Sequence, residues 1–384
     1  MAESIKDKVS VVGMGCTKFG ENWEWSVEDM VVEAVYEAYE DAGIGPDGIE
    51  AAWVGTAFSG SGGSILSDIL KLHDIPITRV ENFCATGMEA FRNACYAVAA
   101  GAYDTVLAVG VEKLKDSGLQ GLPDSMVRPV FGVGRTAPGS FALIASRYFE
   151  KYGIGKETLA KIAVKNHKNG ALNPKAHFQR EITVEQALKA PIIAWPLGLF
   201  DCCPTTDGAA AAIITRKNLA KKFKDDHIPV KALALSVSSM WPQFRPGFDY
   251  LGFSANVSAS QNAYQQAGIK DPLKELDLAE VHDCFTITEL VIYEDLGFCP
   301  RGEAKRFIDD GVFGLDGELA VNADGGLKSF GHPIGASGLR MIYEVYKQLQ
   351  GKAGKRQINN ARLGMAHNLG GTPQVCCITI LGTP

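Results

Sequence analysis

Short apolar stretches alternate with amphipathic segments along most of the chain. The stretch VSVVGMG, residues 9–15, is apolar and predicts a first strand. In WSVEDMVVEAVYEAYEDAGI, residues 25–44, apolar side chains recur with a helical period, and Gly43 is placed to end the helix. The positions on that face are Val27, Met30, Val31, Ala34, Val35 and Ala38. Strands that alternate with such helices predict an α/β protein.

The alternation runs through a first half of the chain and then restarts. The first half is predicted to hold strands over 49–58, 104–112 and 207–216 and an Ala-rich helix over 84–101. The second half is predicted to hold strands over 229–239, 277–285, 361–371 and 375–382 and helices over 254–269 and 335–351. Because the same order of units occurs twice, the pattern predicts an internal duplication.

The regular pattern loosens between residues 115 and 204, where prolines and turn residues become common. Only one clear helix is predicted there, over SFALIASRYFEKYG, residues 140–153. We therefore predict a first half made of 1–114 and 205–226, an inserted loop lobe over 115–204, and a second half over 227–384.

Charge and cysteine content exclude several classes of protein. The net charge of -6 lacks the basic excess that phosphate backbones require, so nucleic acid is excluded as a partner. No apolar run is long enough to span a membrane, and the N-terminus lacks the apolar core of a signal peptide. The nine cysteines include no C-x-x-C pair, which favours a reduced, cytoplasmic chain without a structural zinc.

Cys84 is the first candidate for chemistry. It lies at the predicted start of the helix over 84–101, where unpaired N–H groups carry partial positive charge. A thiol in that position is expected to have a lowered pKa and to be nucleophilic. A lone cysteine in an apolar setting is also consistent with a buried structural residue, so Cys84 needs support from other motifs.

His332 lies in the second motif, NADGGLKSFGHPIGASGLR, residues 322–340. Glycines surround the histidine and allow the backbone of a ligand or of another segment to approach closely. A core histidine needs no such concentration of glycine. This motif therefore predicts a functional histidine.

The third motif, VHDCFTITEL, contains His282 and Cys284 at the predicted end of a strand. Residues two apart on a strand project to the same side, which suits a site at the rim of the sheet. A buried cysteine beside a hydrogen-bonded histidine explains the same pattern. A zinc site is a further option, but the sequence has no second ligand pair at metal spacing.

The fourth motif is AHNLGGTPQ, residues 366–374. Asn368 and the glycines at 370 and 371 predict a tight turn between two strands, where a glycine N–H can point at a developing oxyanion. Taken alone, this stretch indicates only a turn.

Together, CATGMEAF, GHPIGASG, HDCF and HNLGG resemble the motifs of the thiolase superfamily, in the family's order and over essentially the whole chain. The resemblance implies a duplicated, five-layered α-β-α-β-α fold with a central helix of small residues. Two departures from the standard thiolases stand out. HDCF replaces Asn-Glu-Ala-Phe, and Asn368-Leu369-Gly370 replaces Cys-x-Gly. Both are similar to the sterol-carrier-protein type of thiolase, including its archaeal and bacterial members.

The resemblance assigns a role to each motif. It implies that His332 activates Cys84 as the nucleophile and that the N–H groups of Cys84 and Gly370 form an oxyanion hole. His282, together with His332, would stabilise the oxygen of an enolate, and Cys284 would move the α-proton. No metal and no covalently bound cofactor are implied. CoA is implied as a co-substrate, and its contacts and those of the substrate are expected in the lobe over 115–204.

Other functions on the same scaffold stay open. Cys84, His282 and His332 also fit a decarboxylating ketosynthase, although Cys284 and the proline after His332 favour a thiolase. An aldolase relative is expected to lack the nucleophilic cysteine. A non-catalytic scaffold subunit is a further alternative, against which the intact set of reactive side chains argues.

The sequence does not select the substrate. The segment 238–253 concentrates aromatic residues, of which Trp241, Phe244 and Phe248 are candidates to line a pocket for a bulky acyl group such as benzoylsuccinyl-CoA. A loop held by its own aromatic contacts explains the same composition, and acetoacetyl-CoA is the plainer substrate. The resemblance further implies a homodimer and, in some members, a small partner with a zinc ribbon and an OB-fold.

Overall fold

The computed structural model describes residues 4–118, 136–239, 241–242 and 245–384. Part of the predicted loop lobe and the pocket candidate Phe244 lie outside these described residues. The predicted division into two halves and a lobe stays a prediction. No helix in the described part of the chain is both long and apolar enough to cross a bilayer.

Twelve strands are found in the described residues. They are β1 Val9–Cys16, β2 Ala51–Gly55, β3 Ile77–Val80, β4 Thr105–Glu112, β5 Ile192–Ala194, β6 Leu197–Gly198, β7 Gly208–Arg216, β8 Ile228–Val237, β9 Leu278–Glu280, β10 Ala320–Val321, β11 Leu363–Gly370 and β12 Val375–Gly382.

Helices separate most of these strands. They are α1 Val27–Ala42, α2 Ser67–Leu70, α3 Thr86–Ala99, α4 Ala137–Tyr152, α5 Lys156–Gly170, α6 Val184–Lys189, α7 Lys217–Ala220, α8 Ser254–Ala267, α9 Pro272–Glu275, α10 Thr286–Asp295, α11 Ala304–Asp309, α12 Gly326–Ser329 and α13 Ser337–Leu349.

The main sheet repeats one topology in two halves. Its order is β10-β9-β11-β12-β8-β1-β7-β4-β2-β3, and β5 and β6 form a separate hairpin. In the first half β3, β2 and β4 are parallel neighbours, followed by β7 and β1 in antiparallel pairing. In the second half β10, β9 and β11 are parallel, followed by β12 and β8 in antiparallel pairing. The predicted duplication therefore appears as one repeated pattern of strand order and direction.

Two helices pack between the halves of the sheet. Helix α3 contacts β4 and α13, and α13 contacts β11 and also β7 of the other half, while α1 and α8 each pack on the strands of one half. A Cβ atom at Gly87 would lie 2.4 Å from the carbonyl oxygen of Gly335, and one at Gly338 would lie 2.5 Å from the backbone nitrogen of Met88. Small residues thus let the starts of the two central helices approach to backbone contact, in agreement with the predicted five-layered α/β fold.

The predicted elements were mostly confirmed. Helix α1 has the expected buried face, its N-cap Ser26 forms a capping box, and Gly43 ends it in the left-handed conformation. The strand predicted over 277–285 is wrong beyond its first residues, because β9 ends at Glu280 and α10 starts at Thr286. Consequently His282 and Cys284 lie in a connecting segment and not on a strand.

Candidate active site

A strained turn presents Cys84 just before the first central helix. The preceding residue, Phe83, has a φ of 54°, which is unfavourable for a bulky side chain. The Oγ1 atom of Thr86 holds this turn, because it accepts the N–H of Asn82 at 2.8 Å and donates to the carbonyl of Phe83 at 2.5 Å. Helix α3 starts at Thr86, so Cys84 is placed beside its first N–H groups, as predicted.

His332 lies in the turn between α12 and the second central helix, α13. Its Nδ1 lies 2.7 Å from Oγ of Ser337, and that hydroxyl donates to the carbonyl of Pro333 at 2.9 Å. The hydroxyl proton is thereby used, so His332 Nδ1–H is the donor to Ser337 and Nε2 carries the lone pair. This buried Nε2 has no hydrogen-bond partner among the described residues, which leaves it available as a base.

His282 is held in the opposite tautomer. The side-chain amide of Asn368, in β11, donates from Nδ2 to Nδ1 of His282 at 3.0 Å. Nδ1 therefore accepts, and Nε2 of His282 carries the proton. The backbone N–H of His282 also points at Nδ1 of His367 at 3.4 Å. His282 thus presents a hydrogen-bond donor where His332 presents an acceptor.

The structure brings Cys84, His282 and His332 together from three separate segments. The sulfur and one nitrogen of each ring all lie within 4.8 Å of one another. The two rings meet edge to face, with centroids 5.1 Å apart at 86°. Both histidines are buried, whereas Cys84 as a whole residue keeps some exposed surface. These three side chains could also hold a metal ion, since sulfur and imidazole nitrogen are ligands of zinc.

Burial dominates the ionisation of the three groups. It raises the pKa of the Cys84 thiol to about 12, although hydrogen bonds from the backbone N–H of Gly371 and of Cys84 itself act in the opposite direction. The expectation of a lowered pKa was therefore wrong, because desolvation outweighs the helix start. Burial lowers the pKa of His332 to about 3, and burial together with the nearby His332 lowers the pKa of His282 well below its usual range. The resting site is consequently a neutral thiol beside two neutral imidazoles.

Cys284 lies buried next to this cluster. Its Sγ is 3.7 Å from Oγ1 of Thr288, and its carbonyl accepts the N–H of Cys203 at 2.9 Å. Burial raises the pKa of Cys284 well above its usual range, and the neighbouring Cys203 and Cys84 thiols raise it further because two thiolates so close together would repel each other. Cys284 is therefore close enough to interact with the nucleophile electrostatically. Cys203, from the adjacent pair at 202–203, is a neighbour of the site that no sequence motif indicates.

Two buried carboxylates, also missed from the sequence, fix the segments that carry these residues. Asp283 accepts the N–H groups of Leu327 at 2.5 Å and Lys328 at 3.2 Å at the start of α12, which ties the His282 segment to the segment of His332. Glu112 accepts the N–H of Ala57 at 2.9 Å and of Gly335 at 3.2 Å. Sequence signals existed in both cases, since one acid lies inside the HDCF motif and the other ends an apolar strand.

The final glycine motif lies against the nucleophile turn. Gly370 is the last residue of β11, and a Cβ atom there would lie 2.6 Å from the carbonyl oxygen of Asn82. Gly371 begins the turn with a φ of 72°, and its N–H interacts with the Cys84 thiol. Asn368 is part of β11 and not of the turn. The oxyanion role of Gly370 stays a prediction.

Two described residues of the aromatic segment contact each other. The rings of Phe248 and Tyr250 meet edge to face with centroids 4.7 Å apart, and Tyr250 packs against the main core. Trp241 and Phe248 are both half-buried. The role of Trp241 and Phe248 in a substrate pocket stays a prediction.

Family models match nearly the whole chain. Residues 9–218 match the model described as "Thiolase, N-terminal domain", and residues 245–383 match "Thiolase C-terminal domain-like".

Relatives and solved structures agree with this match. An "Acetyl-CoA acetyltransferase" of Methanothermobacter thermautotrophicus is 40% identical over 383 residues, which cover 97% of this chain and 98% of that protein. "Sterol carrier protein 2" of Gallus gallus is 35% identical and is matched over 100% of this chain and 73% of its own length. The solved structure "Ltp2-ChsH2(DUF35) aldolase" superposes with a TM-score of 0.86 at 26% identity, covering 99% of both chains.

Proposed function

We propose that this chain, which belongs to the thiolase family and is an acyltransferase of the sterol-carrier-protein type, cleaves or forms 3-oxoacyl-CoA through an acyl group on Cys84. The observation that carries the proposal is the convergence of Cys84, His282 and His332, with the two imidazoles in opposite tautomers. Nε2 of His332 can take a proton, and Nε2–H of His282 can donate a hydrogen bond. A Claisen cleavage needs both functions in the same site.

In the first step His332 Nε2 takes the proton of the Cys84 thiol, and the sulfur attacks the C3 carbonyl of the substrate. Because the pKa of Cys84 is about 12, little thiolate exists before the substrate binds, and transfer to His332 has to accompany the attack. The N–H groups of Cys84 and Gly370 are proposed to hold the developing oxyanion.

In the second step the C2–C3 bond breaks and leaves an acyl group on Cys84 and the enolate of acetyl-CoA. His282 Nε2–H donates to the enolate oxygen, and Cys284 donates a proton to the α-carbon to release acetyl-CoA. Free CoA then gives its thiol proton to the Cys284 thiolate and attacks the acyl-thioester, the bond between the acyl carbon and the Cys84 sulfur breaks, and His332 returns its proton to Cys84. Cys284 is suited to this role because burial keeps it a protonated thiol.

We propose acetoacetyl-CoA as the substrate, with CoA as co-substrate. The archaeal acetyl-CoA acetyltransferases support this choice, since two of them are 39% and 40% identical over nearly the whole chain. The contact between Phe248 and Tyr250 in the aromatic segment gives no specific support to a larger substrate such as benzoylsuccinyl-CoA. That substrate remains the alternative, together with a condensing reaction of the ketosynthase type and a scaffold without activity.

We propose further that the protein works as a cytoplasmic homodimer with a small partner. The nine cysteines are all free, which fits a reducing compartment. The partner is suggested by the description of the similar aldolase structure as a complex with a DUF35 protein. Activity is therefore best measured with and without a co-expressed partner of that type.

Two half-reactions test this assignment of roles. Exchange of labelled CoA into acetyl-CoA needs only acyl transfer to Cys84, whereas thiolysis of acetoacetyl-CoA also needs proton transfer at the α-carbon. We expect Cys84→Ala to lose both reactions and Cys284→Ala to keep the exchange while thiolysis falls by at least ~100-fold. Full thiolysis by Cys84→Ala would overturn the proposal. Cleavage of an aryl-substituted substrate in preference to acetoacetyl-CoA would replace the substrate assignment.

A further inference from the structure

The same three side chains meet the requirements of a binding site for a soft divalent metal ion. One thiol sulfur and two imidazole nitrogens lie within 4.8 Å of one another. Zinc bonds sulfur at about 2.3 Å and nitrogen at about 2.0–2.1 Å, so the one sulfur and two nitrogen ligands of a tetrahedral ion lie roughly 3.3–3.6 Å apart. The cluster therefore has to contract by up to about 1.5 Å to enclose an ion.

A second, independent feature points into the same space. Nε2 of His332 is buried and has no hydrogen-bond partner among the described residues. An orphaned lone pair in a closed site is costly, and a cation at that point would satisfy it. No carboxylate is part of the three-residue group, so the ligands suit zinc or cobalt and not magnesium or calcium.

The hydrogen-bond partners of both histidines are also compatible with metal binding. Ser337 already accepts the Nδ1–H of His332, which leaves Nε2 for the ion. For His282 to bind through Nε2, its proton has to move to Nδ1 and needs an acceptor there. Oδ1 of Asn368 is buried without a partner in the described structure, and rotation of the amide by half a turn supplies that acceptor. Such outer partners orient the histidine ligands of metal sites.

We propose that Cys84, His282 and His332 bind one Zn²⁺ ion, which blocks the thiol and inhibits the enzyme reversibly. Binding replaces the thiol proton: Cys84–SH and Zn²⁺ give a Cys84–S–Zn bond and one released H⁺, and no electron is transferred. The fourth position is left to water. The inhibitory consequence rests on the proposed function, whereas the binding itself does not. Spacing along the sequence gives no sign of this site, because its ligands come from three distant segments.

The test uses the full chain and Co²⁺ as a spectroscopic probe. We expect one Co²⁺ per chain, a sulfur-to-cobalt charge-transfer band, and release of one proton per ion in weak buffer. Cys84→Ala should abolish the band, and His332→Ala should weaken binding by at least ~100-fold. Ser337→Ala should weaken binding by about 10–100-fold, as loss of an outer partner does.

Matched controls separate this site from adventitious binding. His73 is an exposed histidine near Asp68, and Cys95 is a buried cysteine within α3. Replacement of either by alanine should leave the cobalt band and its affinity unchanged. A wild-type protein without the band, or a band that survives in Cys84→Ala, overturns the proposal. Equal loss of the cobalt band in the Cys95→Ala control also overturns the proposal.

Thiolysis measurements address the inhibition. One equivalent of ZnCl₂ should abolish acetoacetyl-CoA cleavage, EDTA should restore it fully, and MgCl₂ should have no effect. Active enzyme that shows neither a cobalt band nor zinc inhibition disproves the metal site and leaves the proposed function standing. A protein that binds cobalt as described but fails in both half-reactions supports the metal site and counts against the proposed function.

Discussion

Ser337 Oγ lies 2.7 Å from Nδ1 of His332 and donates its own proton to the carbonyl of Pro333. This one hydroxyl therefore fixes the tautomer of His332, in which Nδ1 carries the proton and Nε2 carries the lone pair. The serine belongs to α13, so the start of the second central helix positions the base. It is a positioning residue, since it acts through His332.

We predict that Ser337→Ala lowers kcat by about 100-fold with little change in KM. Without the hydroxyl, His332 is free to take the tautomer that cannot accept the thiol proton, and base catalysis is worth about 10²–10⁴-fold. Steady-state thiolysis kinetics measure this. Ser329→Ala is the matched control, because Ser329 is also buried and donates to the carbonyl of Phe178. An equal loss of kcat in both variants would indicate a general structural effect.

Asn368→Leu is predicted to separate the two half-reactions. Leucine has a similar size but cannot donate to Nδ1 of His282, so the ring no longer presents its Nε2 proton to the enolate. Loss of one such donor costs about 10²–10³-fold. We expect exchange of the α-protons of acetyl-CoA with deuterated water to slow by about that factor, while CoA exchange changes only a few-fold. A parallel fall in both reactions contradicts the assignment.

The reactivity of Cys84 in the free enzyme should rise steeply with pH. Burial raises its pKa to about 12, so the thiolate fraction grows about tenfold for each pH unit below that value. We predict that the rate of alkylation by iodoacetamide, followed on the Cys84 peptide by mass spectrometry, rises about tenfold from pH 7 to 8 and again from pH 8 to 9. A plateau above pH 8 would show that the thiolate is more stable than its burial implies.

Gly87→Ala is predicted to destabilise the protein by about 1–3 kcal/mol. The added methyl group would lie 2.4 Å from the carbonyl oxygen of Gly335, and neither backbone can move without shifting a central helix. Urea unfolding measures the change in the free energy of unfolding. Gly155→Ala, where no atom lies within 4 Å of the added carbon, is the control and should be nearly neutral. Similar losses at both positions would contradict the packing argument.

Sequence periodicity predicted the elements that have one buried and one exposed face. The predicted ends of helix α1 lie within two residues of its observed ends, because its apolar face and its capping residues follow the regular pattern. Helix α10 was missed, because every residue from Thr286 to Asp295 is buried and leaves no amphipathic period. Helix α5, Lys156–Gly170, was missed within the segment assigned to loops.

Sequence patterns likewise predicted only part of the candidate site. Its residue types were identified from four motifs, but their meeting within 4.8 Å depends on contacts between distant segments. The shift in the pKa of Cys84 was predicted in the wrong direction. The sequence shows that a helix starts beside Cys84 but does not show how deeply its thiol is buried. The Asp283 and Glu112 contacts were missed for a related reason, since the groups that they hold lie far away along the chain.

The two central helices occupy equivalent places in the repeated topology, since α3 leads into β4 and α13 leads into β11. Cys84 precedes one helix and His332 precedes the other. An ancestral dimer of identical half-length chains would have carried the same residue at both positions, and so two thiols or two imidazoles would have faced each other. In this chain the two equivalent positions differ, since a thiol precedes one helix and an imidazole precedes the other. The pairing of nucleophile and base thus depends on asymmetry between two halves of the same topology.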